Sequence, residues 1–145
     1  MNKNIEIEIQ LTNNNASVPS RKHDSDIGYD ISSSVDVLIP SKEVQLINTG
    51  IAINLPNQCA GFVLPRSGLA SKNKITLINS PGLVDPGYTG ELMVPLINHG
   101  STDYQISIGD RIAQLVLINT SSVEFKIVDN LPDTERSTGG FGSTD

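Results

Sequence analysis

The chain has 145 residues, enough for one domain with a substantial buried core. Ten basic residues against 16 acidic ones give a net charge of −6, which argues against broad binding to nucleic acid or a membrane surface but leaves room for a small anion held by a local basic site or a metal ion. A hydrophobic share of 37% suits a soluble globular protein, no run approaches the ~20 apolar residues of a membrane span, and MNKNIEIEIQ lacks a signal-peptide block, so a cytoplasmic location is expected.

Short strand-like runs separated by turns follow one another along the chain. Ile5, Ile7, Ile9 and Leu11 alternate with Glu6, Glu8 and Gln10 in the period-two pattern of a half-buried strand. Further strand runs are expected at Val35–Ile39, Val44–Ile47, Ile51–Leu55, Cys59–Leu64, Ile75–Ile78, Glu91–Asn98, Tyr104–Ile108, Ile112–Ile118 and Val123–Val128. Cys59, the single cysteine, excludes an intrachain disulfide and reads as a buried structural thiol. Only Ser67–Lys72 suits a helical turn or two. Such spacing predicts an all-β sandwich or jelly-roll-type barrel over residues 1–135. Residues 136–145, rich in glycine and hydroxyls, are expected to form a flexible C-terminal arm, with almost no apolar surface to offset ordering entropy.

Asn79–Asn98, NSPGLVDPGYTGELMVPLIN, reads as a hairpin whose bend, marked by Pro81-Gly82, Pro86-Gly87 and Gly90, holds Asp85 and Tyr88. By itself the acid would merely solvate a turn. Ser25–Ile31, SDIGYDI, puts Gly28 and Asp30 around an aromatic, a pattern that also fits an Asx-turn. Pro65–Ala70, PRSGLA, places a forked cation and a hydroxyl where a strand meets a helix, which suits phosphate, or equally an arginine paired with an internal acid and a serine capping the turn. In GDRIAQLVL, Gly109–Leu117, Asp110 and Arg111 read as a charged pair across loops or subunits. Gln114 lies among apolar residues, where an unpartnered amide costs about 1–3 kcal/mol, so it is a candidate for a polar contact in a site. The tail RSTGGFGSTD combines Arg136, flexible glycines, hydroxyls and Phe141, a mixture suited to closing over phosphates and a base. It is not a Walker A loop, because no Gly-Lys-Ser/Thr follows the glycines.

In this order and at these separations, SDIGYDI, PRSGLA, GLVDPGYTGEL, GDRIAQLVL and RSTGGFGST resemble the five motifs of the trimeric dUTP pyrophosphatases. The resemblance implies a dUTPase-like jelly-roll β fold and a homotrimer with shared active sites. It implies magnesium-dependent hydrolysis of dUTP to dUMP and pyrophosphate, limiting dUTP and supplying dUMP for thymidylate synthesis. Asp85 matches the acid that activates water, and Asp30 the residue that positions Mg2+ through water. Arg66, Ser67 and Gly68 match phosphate contacts, with Gln114 near the reacting phosphate. Asn79, Leu83, Val84 and Met93 would line the uracil slot, and Tyr88 would pack against deoxyribose. Arg136, Phe141, Gly142, Ser143 and Thr144 match the closing arm. Ser137 stands where the family often has glycine, Asp145 where a glycine commonly follows, and Pro86-Gly87 replaces a more polar pair.

Two other readings follow from the same residues. The dCTP deaminases share the turn and strand of DPGYTGELMVPLIN but use a catalytic glutamate on that strand, where this chain has Pro95. A non-catalytic β-sandwich, capsid-like module accounts for the strands but not for five coexisting motifs. His23 and His99 read as loop residues rather than metal ligands.

Overall fold

The structure, a computed structural model, describes residues 5–135 together with Ser137 and Thr138. Two four-stranded sheets face each other. In the first, β1 (Glu8–Leu11), β4 (Val44–Asn54), β8 (Glu91–Asn98) and β6 (Ile75–Leu77) lie in that order. In the second, the order is β2 (Tyr29–Ser32), β10 (Arg111–Asn119), β5 (Cys59–Leu64) and β7 (Gly82–Val84), and β3 (Val37–Ile39) pairs with β9 (Tyr104–Ile106) in a small ribbon. The described pairings are antiparallel, and one short helix, α1 (Ser67–Asn73), links β5 to β6. The all-β sandwich expected from the strand spacing is the fold observed. Among the described residues, no helix is long and apolar enough to cross a membrane.

The core follows from the period of two. Along β8, Leu92, Val94 and Leu96 are buried while Glu91, Met93, Pro95 and Ile97 turn the other way. They meet Ile47, Ile51 and Ile53 of β4 and, from the opposite sheet, Ile31, Val63, Ile112 and Leu115 in one apolar cluster. Buried polar groups are satisfied, as their desolvation demands. Asn98 donates to the carbonyls of Ile39 and Thr102 and accepts from the Gly100 amide, and the Thr49 hydroxyl donates to the Leu92 carbonyl.

Several expected elements differ. Val44–Ile47 and Ile51–Leu55 are not two strands but one, β4, running through a register shift between Asn48 and Ala52. Gly50 makes the irregularity possible: its φ is +68°, and a Cβ there would meet the Asn13 side chain at 2.5 Å and Ala16 at 2.6 Å. Tyr29–Ser32 and Gly82–Val84, read as turn motifs, are strands. The first strand begins at Glu8 and not at Ile5. Val123–Val128 is no strand: it runs without a sheet partner, with Phe125 93% and Ile127 97% exposed. Its alternation of apolar residues is real, but within the described chain nothing covers that face.

Candidate functional site

Asn79–Asn98 is not a hairpin. β7 pairs with β5, matching Val84 to Gly61 and Gly82 to Val63, whereas β8 pairs with β4 and β6, so the intervening turn carries the chain from one sheet to the other. β7 is an edge strand, and β6 meets only the Leu96–Asn98 end of β8. Between β7 and the first half of β8 opens a cavity of about 400 Å³. Asn79, Leu83, Val84, Asp85, Tyr88 and Met93, all singled out in the sequence, line it. Strand edges without a ladder partner present backbone N–H and C=O groups at fixed intervals, which is the requirement for reading the polar edge of a flat heterocycle.

The turn holding the acid is built by its own sequence. Tyr88 N–H donates to the Asp85 carbonyl at 3.2 Å, with Pro86 and Gly87 between them. Proline presets the first central position, and Gly87, at φ +86°, supplies the left-handed second position of a type II turn. Tyr88 Oη donates to the Glu91 carbonyl at 2.9 Å, so the ring lies along the mouth of the cavity. Two carboxylates line the slot. Glu91 is occupied, accepting from Gly50 N at 2.8 Å and from Asn48 Nδ2 at 3.2–3.3 Å, which ties the slot to the irregularity in β4. Asp85 is exposed, and its carboxylate has no side-chain partner among the described residues. Sequence reasoning missed Leu46, Glu91 and Pro95 as lining residues. Their outward positions on β4 and β8 become legible only when the strands are paired.

A second cavity, of about 360 Å³, opens on the other sheet and is lined by Lys22, Asp26, Gly28, Asp30, Arg66, Arg111 and Gln114, with Ile27 at its rim. Asp30 Oδ1 accepts from Arg66 Nε at 2.9 Å and Oδ2 from Arg111 Nη1 at 3.1 Å. Arg66 Nη1 also donates to the Arg111 carbonyl at 3.2 Å. Arg111 thus pairs with Asp30 of β2, not with the neighbouring Asp110, whose carboxylate accepts from Ser107 N–H and closes its own turn. The register places Gln114 opposite Asp30 and, on its other side, Leu64. One carboxylate therefore fixes two forked cations that are suited to phosphate oxygens. Ser67 and Gly68 follow Arg66 at the start of α1, exposed, with open space around the Gly68 Cα.

The described residues hold no cluster of three or more His, Cys, Asp or Glu side chains able to cage a metal ion. A magnesium ion that keeps its waters and binds phosphate oxygens does not need such a cage. Asp30 spends one hydrogen bond per carboxylate oxygen on the arginines, so each oxygen retains a lone pair for a metal-bound water, and the donor set fits magnesium in that form. Arg136, Phe141, Gly142, Ser143 and Thr144 lie outside the described residues. Ser137 has φ +42°, in the region that favours glycine.

A family model described as dUTPase matches residues 14–145. The chain is 45% identical over 140 residues to a protein of Crocosphaera subtropica named deoxyuridine 5'-triphosphate nucleotidohydrolase, covering 97% of this chain and 99% of that one. It is 50% identical over 130 residues to the protein of that name from Tropheryma whipplei, covering 87% of each. Among solved structures, it resembles the Staphylococcus bacteriophage 80alpha dUTPase with dUPNHPP, with a TM-score of 0.91 and 29% identity, covering 97% of this chain and 98% of that one. It also resembles a mutant dUTPase from phage phi11 of S. aureus, described as revealing the coordination of a structural Mg(II) ion, with a TM-score of 0.84 and 28% identity over 89% of this chain and all of that one.

Proposed function

The chain belongs to the dUTPase family, and on that premise we propose that it hydrolyses dUTP to dUMP and pyrophosphate, water attacking the α-phosphorus with Asp85 as general base. The observation that carries the assignment of the base is the contrast between the two acids in the slot. Glu91 is committed to Gly50 and Asn48, whereas Asp85 is exposed and lines the slot together with Tyr88. In the attack, Asp85 takes the proton from water as the new P–O bond forms, and the bond to the pyrophosphate oxygen breaks. General-base help of this kind is worth about 10²–10⁴-fold in rate.

Uracil offers an N–H donor between two carbonyl acceptors, and cytosine an acceptor beside an amino donor. The free edges of β7 and β8, with the Asn79 amide, would leave groups unpaired against the wrong base, a mismatch that can discriminate by about 10⁴–10⁵-fold. Tyr88 would obstruct a 2′-hydroxyl. Arg66, Ser67 and Gly68 would hold phosphate oxygens, with Gln114 beside the α-phosphate. Asp30 would hold magnesium through water, and the ion would supply positive charge to offset that of the phosphates. Arg136, Phe141, Gly142, Ser143 and Thr144 would close the site over phosphates and base. Pro95, which cannot transfer a proton, stands in the slot wall where deamination would need a glutamate.

A homotrimer with shared sites fits two features. The slot and the phosphate cavity have no lining residue in common. The segment 123–131 also exposes Val123, Phe125, Ile127 and Leu131, a strand-like apolar alternation suited to a second copy's surface. The protein would act in the cytoplasm, lowering dUTP and supplying dUMP. Release of pyrophosphate from dUTP, but not from dCTP, UTP or dTTP, with magnesium and not with chelator, tests the reading. Ammonia released from dCTP would overturn it.

A further inference from the structure

Resting on the hydrolase reading above, we propose that Lys22 is a further substrate-binding residue, contacting the distal phosphates, those that leave as pyrophosphate. Lys22 lines the same cavity as Asp30, Arg66, Arg111 and Gln114. The backbone around it is pinned. Ser20 and Asp30 exchange backbone hydrogen bonds of 3.3 and 2.7 Å, docking the segment on β2 two residues before Lys22. Arg21 lies 4.9 Å from the Tyr29 ring centroid and donates to the Asp26 carbonyl at 3.1 Å. His23 N–H donates to Asp26 Oδ2, and Asp26 N–H to the His23 carbonyl, each at 3.0 Å. Arg21 and His23 are thus both fixed, which leaves Lys22 between them with its flexible stem at the cavity rim.

Charge decides the role. In the lining, Arg66 and Arg111 are matched by Asp26 and Asp30, so Lys22 is the cation that makes the cavity net positive. On a chain of net charge −6, a local excess of this kind is what draws in a polyphosphate. Gln114 and Asp30 are opposite each other in the register of β10 and β2 and are half-buried, while Lys22 is exposed. Its ammonium therefore meets the end of a phosphate chain rather than the α-phosphate.

The test compares the full-length protein with Lys22→Met and Lys22→Arg, measuring dUTP turnover and binding of dUpNHpp, dUMP and pyrophosphate at low and high salt. Lys22→Met is expected to raise KM for dUTP and Kd for dUpNHpp and pyrophosphate by about 5-fold at low salt, with kcat and dUMP affinity unchanged. The difference should shrink as salt screens the exposed charge, and Lys22→Arg should restore binding. Equal affinities in wild type and Lys22→Met, or a loss as large for dUMP as for dUpNHpp, would overturn the proposal. A wild-type protein that binds dUpNHpp but does not cleave dUTP would instead overturn the hydrolase reading.

Discussion

Gly28, just before β2, and Gln114 of β10 are fitted to each other: a Cβ on Gly28 would lie 2.5 Å from Gln114 Oε1 and 3.4 Å from its Cδ. The obstacle is the end of a flexible side chain, so Gly28→Ala displaces the amide rather than the backbone. On the proposed placement of Gln114 at the reacting phosphate, a shift of about 1 Å is expected to lower kcat by about 10²-fold while the thermal midpoint stays close to wild type. Parallel turnover and melting measurements check this, and unchanged kcat would remove Gln114 from the reaction.

Asp30 joins Arg66 and Arg111, and Asp30→Asn removes the charge that holds both. The expected loss of stability is about 1–3 kcal/mol, most of it from Arg66, because the Arg111 side chain is 51% exposed and screened. Activity should fall further than stability, with a higher magnesium concentration needed for half-maximal rate. Denaturant titration and a magnesium titration of turnover separate the two effects.

Tyr88 depends on Gly90, where a Cβ would stand 2.7 Å from the tyrosine Oη and 2.8 Å from Cζ. Gly90→Ala must push the ring aside. If the ring excludes the 2′-hydroxyl, the ratio of kcat/KM for dUTP over UTP should drop by at least about 10-fold, as in Tyr88→Ala. An unchanged ratio in both variants would place sugar discrimination elsewhere.

Phe125 and Ile127 expose nearly their whole side chains. Replacing both by glutamate should leave the β sandwich intact by circular dichroism and lower the oligomeric mass seen by light scattering, with activity lost in parallel. An unchanged mass would show that this segment does not join subunits.

Much of this architecture is legible in the sequence because burial alternates with residue parity. The pattern of β8 states its own period, whereas β10 is legible as a long, largely apolar run whose burial does not alternate. Tyr29–Ser32 and Gly82–Val84 hide because each is short and flanked by glycine or proline, so turn chemistry outweighs strand propensity. The division of β4 into two runs has a different cause: Gly50 looks like a stop but serves as an irregularity within one strand. Val123–Val128 shows the opposite failure, since period two reports an apolar face but not whether the same chain covers it. Within the site, the slot residues between Asn79 and Met93 are close in sequence and were found together. Lys22 and Arg111 were not, because they converge with Asp30 only through the pairing of β2 with β10 and the docking of Ser20 on Asp30.

The most direct test is Asp85→Asn, an isosteric change at an exposed turn position whose carbonyl bond to Tyr88 does not involve the carboxylate. Magnesium-dependent pyrophosphate release from dUTP should fall by about 10²–10⁴-fold, with dUpNHpp still bound at near wild-type affinity. Turnover within a few-fold of wild type in that variant would contradict Asp85 as the general base.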